Sequence, residues 1–163
     1  MHLYLVRHAD ALNAFEANVS SDKERPLSEE GRTFLKKALI QLKTKIPPLQ
    51  HCLVSPYVRA QETADILLSG ISCEQEKEIF EDLTPESSPK IILKFLEQKQ
   101  DEDHIMLVGH EPYMGLLLGT LLTGCLGTSM PFSKGGIAHV EVFALPAQGT
   151  LPHLHWFLNP PPY

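Results

Sequence analysis

The chain has 163 residues, 43% hydrophobic and 21% charged, a balance that fits a globular chain with a sizeable core and excludes a disordered one. Its 14 lysines and arginines against 20 acidic residues leave a net charge of −6, which argues against a nucleic-acid partner but allows a locally positive pocket. The 3 cysteines, Cys52, Cys73 and Cys125, are far apart and lack CxxC spacing, which excludes a disulfide framework and a cysteine-built zinc site.

The opening "MHLYLVRHAD" lacks the basic region and long apolar core of a signal peptide, so a reducing cytoplasm is the expected compartment. The longest apolar stretch, "MGLLLGTLL" at 114–122, is too short to span a bilayer, and no membrane association is expected. Cys52 and Cys125 lie in apolar sequence and are expected in the core.

In chain order, residues 2–6 read as a short strand buried on both faces, and the run breaks off abruptly into Arg7 and His8. Residues 11–26 are polar and irregular, the pattern of a loop. Ser28 is the N-cap of a helix with Glu29 and Glu30 in its first turn, where negative charge suits the dipole. Phe34, Leu35, Ala38, Leu39 and Leu42 follow at helical spacing, and Pro47 and Pro48 end the element.

"HCLVSP" at 51–56 repeats the opening pattern, with Ser55 expected to cap a second helix and Pro56 to take its first position. Ala60, Ala64, Leu67 and Leu68 form the buried face of that helix and Gly70 stops it. The acidic stretch 74–82 is a short strand or a loop. A third helix over 88–99 carries Ile91, Ile92, Phe95 and Leu96. "HIMLVGHEP" at 104–112 is a third strand ending in polar residues, and Pro112 opens a helix to about Leu122. The runs at 136–145 and 154–159 pair as a hairpin across "PAQGTLP".

Strands alternating with helices imply an α/β fold of 1 domain over residues 1–163: a three-layer sandwich with a mostly parallel central sheet and helices on both faces. In such sheets ligands bind beyond the carboxyl ends of the strands. Arg7, His8, Ser55, Arg59 and His110 all fall at or just past such ends. Two guanidinium forks match phosphate oxygens, and the helix start beside Arg59 adds oriented N–H groups. A neutral imidazole, whose unperturbed pKa is about 6.5, is a competent nucleophile near neutral pH. It splits one phosphoryl displacement into two through a phosphohistidine. A second imidazole stabilises charge on the equatorial oxygens.

The order Arg7-His8, then Ser55-Pro56 with Arg59, Ala60 and Thr63, then Gly109-His110 resembles the histidine phosphatase superfamily, also called phosphoglycerate-mutase-like. The short length, "SPYVRAQETA" and the following "EDLTPE" look most like its SixA-type phosphohistidine phosphatases. The resemblance covers nearly the whole chain. It implies that His8 is the nucleophile, that Arg7 and Arg59 clamp the phosphoryl group and that His110 assists. It implies no metal and no organic cofactor, a cytoplasmic monomer, and a phosphohistidine-bearing protein, a phosphotransfer domain or carrier, as substrate.

The chain departs from the family pattern in two places. Ala9 stands where many members have glycine. The mid-chain glutamate acid of many members has no evident counterpart, and Asp82 and Glu111 are weak candidates for a proton donor. A phosphoramidate releases an imidazole, a far better leaving group than an alkoxide, so a site without a strong acid still cleaves an N–P bond. The competing readings are a small-molecule phosphomonoesterase or mutase of the same superfamily, and a non-catalytic phosphate-binding module.

Plainer roles stand beside these. Arg7 can pair with Asp10, and Arg59 with Glu62 three residues on. Lys134 reads as a solvated loop lysine. His8, Asp10 and His110 form a conceivable metal triad that the two arginines disfavour. His2, His51, His104, His139, His153 and His155 share no spacing, and His139 and His153 read as structural or exposed. The tail "NPPPY" reads as a fold terminator rather than a recognition peptide.

Overall fold

Period-two alternation along each central strand divides its side chains between two cores, and this fixes the layers. The structure, a computed structural model, describes residues 1–99, 102–143 and 152–160. Strand β1 (His2–Arg7) sends Leu3 and Leu5 into one core and Tyr4 and Val6 into the other. β4 (His104–Gly109) does the same with Ile105 and Leu107 against Met106 and Val108. Helices α1 (Glu29–Leu42) and α2 (Val58–Leu68) cover the Tyr4 side with Leu35, Leu42, Ala60, Ala64 and Leu67. Helices α3 (Pro89–Leu96) and α4 (Tyr113–Thr123) cover the Leu3 side with Ile92, Leu96, Leu117 and Leu121.

With β2 (His51–Val54), β3 (Glu78–Ile79), β5 (Ile137–Glu141) and β6 (His153–Leu158), the described strands form a six-stranded sheet in the order β3-β2-β4-β1-β5-β6. Parallel pairing joins β3, β2, β4 and β1, while β5 runs antiparallel to β1 and β6 antiparallel to β5. Only β5 is reversed, so the sheet is mostly parallel with helices on both faces, the expected three-layer α/β sandwich. Among the described residues, no helix is long and apolar enough to cross a membrane.

Ser28 caps α1 by accepting from the Gly31 N–H, and Ser88 caps α3 by accepting from the Lys90 N–H. Some boundaries differ from the sequence reading. α1 stops at Leu42, ahead of Pro47 and Pro48, because residues 43–46 tighten into turns that seat Ile46 in the core. Residue 46 also precedes a proline, which disfavours helical backbone. α2 begins at Val58 with Tyr57 as its cap, two residues later than a Ser55 cap requires. The Ser55 hydroxyl is instead drawn to His110, and its bond with the Tyr57 N–H is a long 3.4 Å. Cys125 is exposed rather than buried, because Gly124 takes a left-handed φ of 70° and turns the chain away from α4. The hairpin of β5 and β6 is present, but its turn, 144–151, lies outside the described residues, as do 161–163 of the proline-rich tail.

Register decides where the strand ends fall. Arg7 pairs with Gly109 across β1 and β4, and Val54 with Val108 across β2 and β4. Three adjacent strands therefore finish at one level, and the residues that follow them share a rim.

Candidate active site

Backbone bonds carry that level past the strands: the His8 N–H donates to Gly109 O at 3.0 Å, and the Ser55 N–H to Val108 O at 3.0 Å. His8, Ser55 and His110 thus leave the sheet side by side. Arg59 comes to the same place from the first turn of α2. The structure brings together Arg7, His8, Arg59 and His110, as the sequence pattern expects. His8, Arg59 and His110 are buried and Arg7 is half-buried.

His8 Nδ1 lies 2.7 Å from Ala9 O. A carbonyl only accepts, so Nδ1 carries the proton. The Nε2 atom accepts from Arg59 Nε at 3.2 Å and so holds a lone pair. Burial first, then Arg59, Arg7 and Lys134, push the His8 pKa down to about 3, with the Ala9 carbonyl pulling the other way. Near neutral pH the ring is an uncharged Nδ1–H tautomer with its lone pair turned toward a cation.

The His110 ring sits 4.9 Å from that of His8 and 4.7 Å from that of Tyr57, with Nε2 at 2.8 Å from Ser55 Oγ. Burial, then its neighbour His8, hold its pKa far below the usual imidazole range. His110 Nδ1 and Arg7 Nε are buried without a hydrogen-bond partner among the described residues. Unpaired polar groups in an interior are rare and costly. Both belong to the same cluster, and an oxyanion is the ligand type that satisfies Arg7 Nε.

Arg7 does not pair with Asp10. Its Nη1 donates to Phe132 O at 2.5 Å, while Asp10 is held by Lys134 Nζ at 2.5 Å and by Ser28 Oγ at 2.7 Å. Lys134 is therefore tied into the rim by an ion pair, not simply solvated, and its charge acts on His8. Nor does Arg59 pair with Glu62, which accepts instead from Arg32 Nη2 and the Leu27 N–H. Arg59 Nη1 and Nη2 reach Asp22 O at 2.6 Å and Asp22 Oδ2 at 2.8 Å. Asp22 belongs to a short 3-10 turn, Asp22–Glu24, inside the segment that reads as loop. The sequence reading missed Asp22, because nothing local marks which carboxylate of a polar loop folds back onto the rim.

Supporting contacts set the turn at His8. Thr63 Oγ1 donates to Arg59 O at 2.7 Å and accepts from the Ala9 N–H at 3.3 Å, so α2 clamps the residue after the histidine. Ala9 is not among the residues with positive φ, so its Cβ meets no backbone penalty where other members have glycine. Gly31 lies so close to the Asp10 backbone that a Cβ there would meet Asp10 O at 2.3 Å. Neither acid candidate hydrogen-bonds to either imidazole. Glu111 Oε1 accepts from the Gly115 and Phe132 N–H groups at 3.0 and 3.1 Å, and burial pushes its carboxyl up. The charge of Asp82 acts on Tyr113.

Residues 3–84 match the family model described as "Histidine phosphatase superfamily (branch 1)". A relative named "Phosphohistidine phosphatase SixA homolog" from Haemophilus influenzae is 33% identical over 74% of this chain and 77% of its own. "Phosphohistidine phosphatase SixA" of Escherichia coli K12 is 28% identical over 87% of this chain and 86% of its own. Among solved structures, the protein histidine phosphatase SixA complexed with tungstate superposes with a TM-score of 0.83 at 24% identity, over 98% of this chain and 97% of that one.

Proposed function

The chain belongs to the histidine phosphatase superfamily, branch 1, and is a phosphatase; on that premise we propose that it hydrolyses phosphohistidine on a protein by way of a phosphoryl group carried on His8. The observation that carries this reading is the His8 ring itself, protonated at Nδ1 against Ala9 O and bearing its Nε2 lone pair beside Arg59.

In the first step the substrate phosphoryl group takes the N–H donors of Arg7 and Arg59, and Arg59 exchanges Asp22 and His8 Nε2 for phosphate oxygens. His8 Nε2 attacks phosphorus in line. Its N–P bond forms as the substrate N–P bond breaks, and the departing imidazole keeps the bonding pair and takes a proton from solvent. His110, its ring steadied by Ser55, stabilises negative charge on the oxygens. In the second step water attacks phosphorus, the bond to His8 breaks, and inorganic phosphate leaves while His8 recovers its lone pair.

Two points support phosphohistidine rather than an alkyl phosphate. Neither Asp82 nor Glu111 reaches His8 or His110 through a hydrogen bond, so the site offers no poised acid to an alkoxide. Two of the relatives carry phosphohistidine phosphatase names. The guanidinium groups supply the positive charge that a divalent cation supplies elsewhere, so the reaction runs without metal. The reading treats residues 1–163 as 1 domain, acting as a cytoplasmic monomer on a phosphotransfer domain or carrier.

The test is to incubate the protein with a labelled phosphodonor and quench in alkali. Acid-labile label that His8→Ala abolishes, with turnover that survives a chelator, is the expected result. Label without turnover would favour a sensing or transfer protein. Equal turnover of a simple alkyl phosphate and a phosphohistidine protein would overturn the substrate assignment. It would then point to Glu111 as proton donor, since burial already raises its carboxyl.

A further inference from the structure

At the other end of the sheet the fold gathers histidines that share no sequence spacing. His2 opens β1 and His104 opens β4, and the two are register partners. Glu141 ends β5 opposite His2 and faces His153 at the start of β6. Between His139 and Val140 the β5–β6 register jumps from Trp156 to Leu154, so His155 is the extra residue of a bulge. The bulge turns the His155 ring onto that of His139, stacked at 4.5 Å, and brings it within 6.0 Å of His2.

We propose that His2, His139 and His155, with the carboxylate of Glu141, form a binding site for a borderline divalent cation of the zinc class, separate from the phosphatase centre. Ligand atoms of the three imidazoles all lie within 4.8 Å of one another. His2 Nδ1 and His139 Nε2 share a hydrogen bond at 3.1 Å, whose proton a metal ion would displace. Two nitrogens bound tetrahedrally to one zinc ion at about 2.0–2.1 Å stand about 3.3 Å apart, so this pair is close to ligating geometry. His155 is exposed, and its Nε2 lies 2.9 Å from Glu141 Oε2, a contact that ligation would exchange for the ion. Glu141 Oε1 is 4.0 Å from His2 Nε2. Glu141, His153 and His155 form a second triad that shares His155 with the first.

The donor set selects the ligand. Three imidazoles and one carboxylate suit zinc, nickel and copper, whereas calcium and magnesium want oxygen donors. The charges acting on His2 are those of Glu141, His155 and the N-terminal ammonium. That ammonium donates to Val142 O at 3.0 Å, and Glu141 offsets it. A bound ion ties the starts of β1 and β6 to the end of β5, three segments far apart in the chain. It would therefore bind the native fold in preference to the unfolded chain and stabilise it.

The experiment uses the full chain without a histidine tag, stripped with chelator and dialysed against zinc. One zinc ion per chain is expected, together with a rise in melting temperature. Cobalt in its place gives the absorption bands of a tetrahedral ion. His155→Ala abolishes the stoichiometric ion and the cobalt bands, and Glu141→Gln weakens binding about 10- to 100-fold. His110→Ala, at the other end of the sheet, leaves zinc affinity unchanged. Absence of stoichiometric binding, or wild-type affinity in both His155→Ala and Glu141→Gln, would overturn the site.

Discussion

The two ends of one sheet each collect histidines and surround them with opposite charge. At the carboxyl end of the parallel strands, His8 and His110 sit among Arg7, Arg59 and Lys134. At the other end, about 17 Å away along a six-residue strand, His2, His139 and His155 sit around Glu141. The imidazole is the same group in both places. In the proposed reading, guanidinium neighbours suit one cluster to an oxyanion and leave its free nitrogen to attack. A carboxylate neighbour suits the other to the proposed cation. A histidine's chemistry is therefore a property of its neighbours, and the neighbours are set by strand register.

The largest expected effect breaks the contrast at its upper end. His8→Ala removes the attacking lone pair, and kcat falls on the order of 10⁴-fold or more with all phosphoenzyme label gone. Residual turnover within tenfold of wild type would show that the nucleophile lies elsewhere.

A smaller change tests the cationic surroundings. Arg59→Lys keeps the charge but loses the fork that now spans His8 and Asp22. A fall of about 10²-fold in kcat/KM is expected from steady-state kinetics. An unchanged value would mean that charge alone, and not fork geometry, holds the phosphoryl group.

Stability reads the same neighbourhood through protons. The folded-state pKa of His8 is lowered to about 3, and that of His110 is also lowered. Below about 6.5 the unfolded chain therefore takes up protons that the native state refuses. Stability is fully present above that pH and declines as pH falls from about 6.5 toward 3, by at most about 1.4 kcal/mol per unit for each group. Urea midpoints between pH 7 and 5 check this, and His110→Asn flattens the slope.

The smallest effect concerns Asp22, whose half-exposed carboxylate occupies the Arg59 fork. Asp22→Asn frees that fork, and inorganic phosphate inhibits about two- to fivefold more tightly, the size expected for an ion pair whose carboxylate stands in water. Weaker inhibition would recast Asp22 as the residue that positions Arg59.

Local pattern made part of this legible. The alternation of apolar strands with helices, the cap at Ser28, and the abrupt polar ends at Arg7, Ser55 and His110 followed from short-range rules of burial and capping. Those rules also pointed to one rim, since parallel strands present their ends together. They misjudged Ser55, whose hydroxyl turned to His110 instead of capping α2, and Cys125, which Gly124 carries into solvent.

The layers and the four residues that meet on the rim could be read from the chain alone, because apolar periodicity and residue type are local properties. Packing, in contrast, settled that Asp22 closes on Arg59, that Asp10 holds Lys134 rather than Arg7, and that His2, His139 and His155 meet. Each of these contacts joins segments whose proximity depends on strand order, register or a single bulge. Those are properties of the whole packed chain, and no spacing within one segment encodes them.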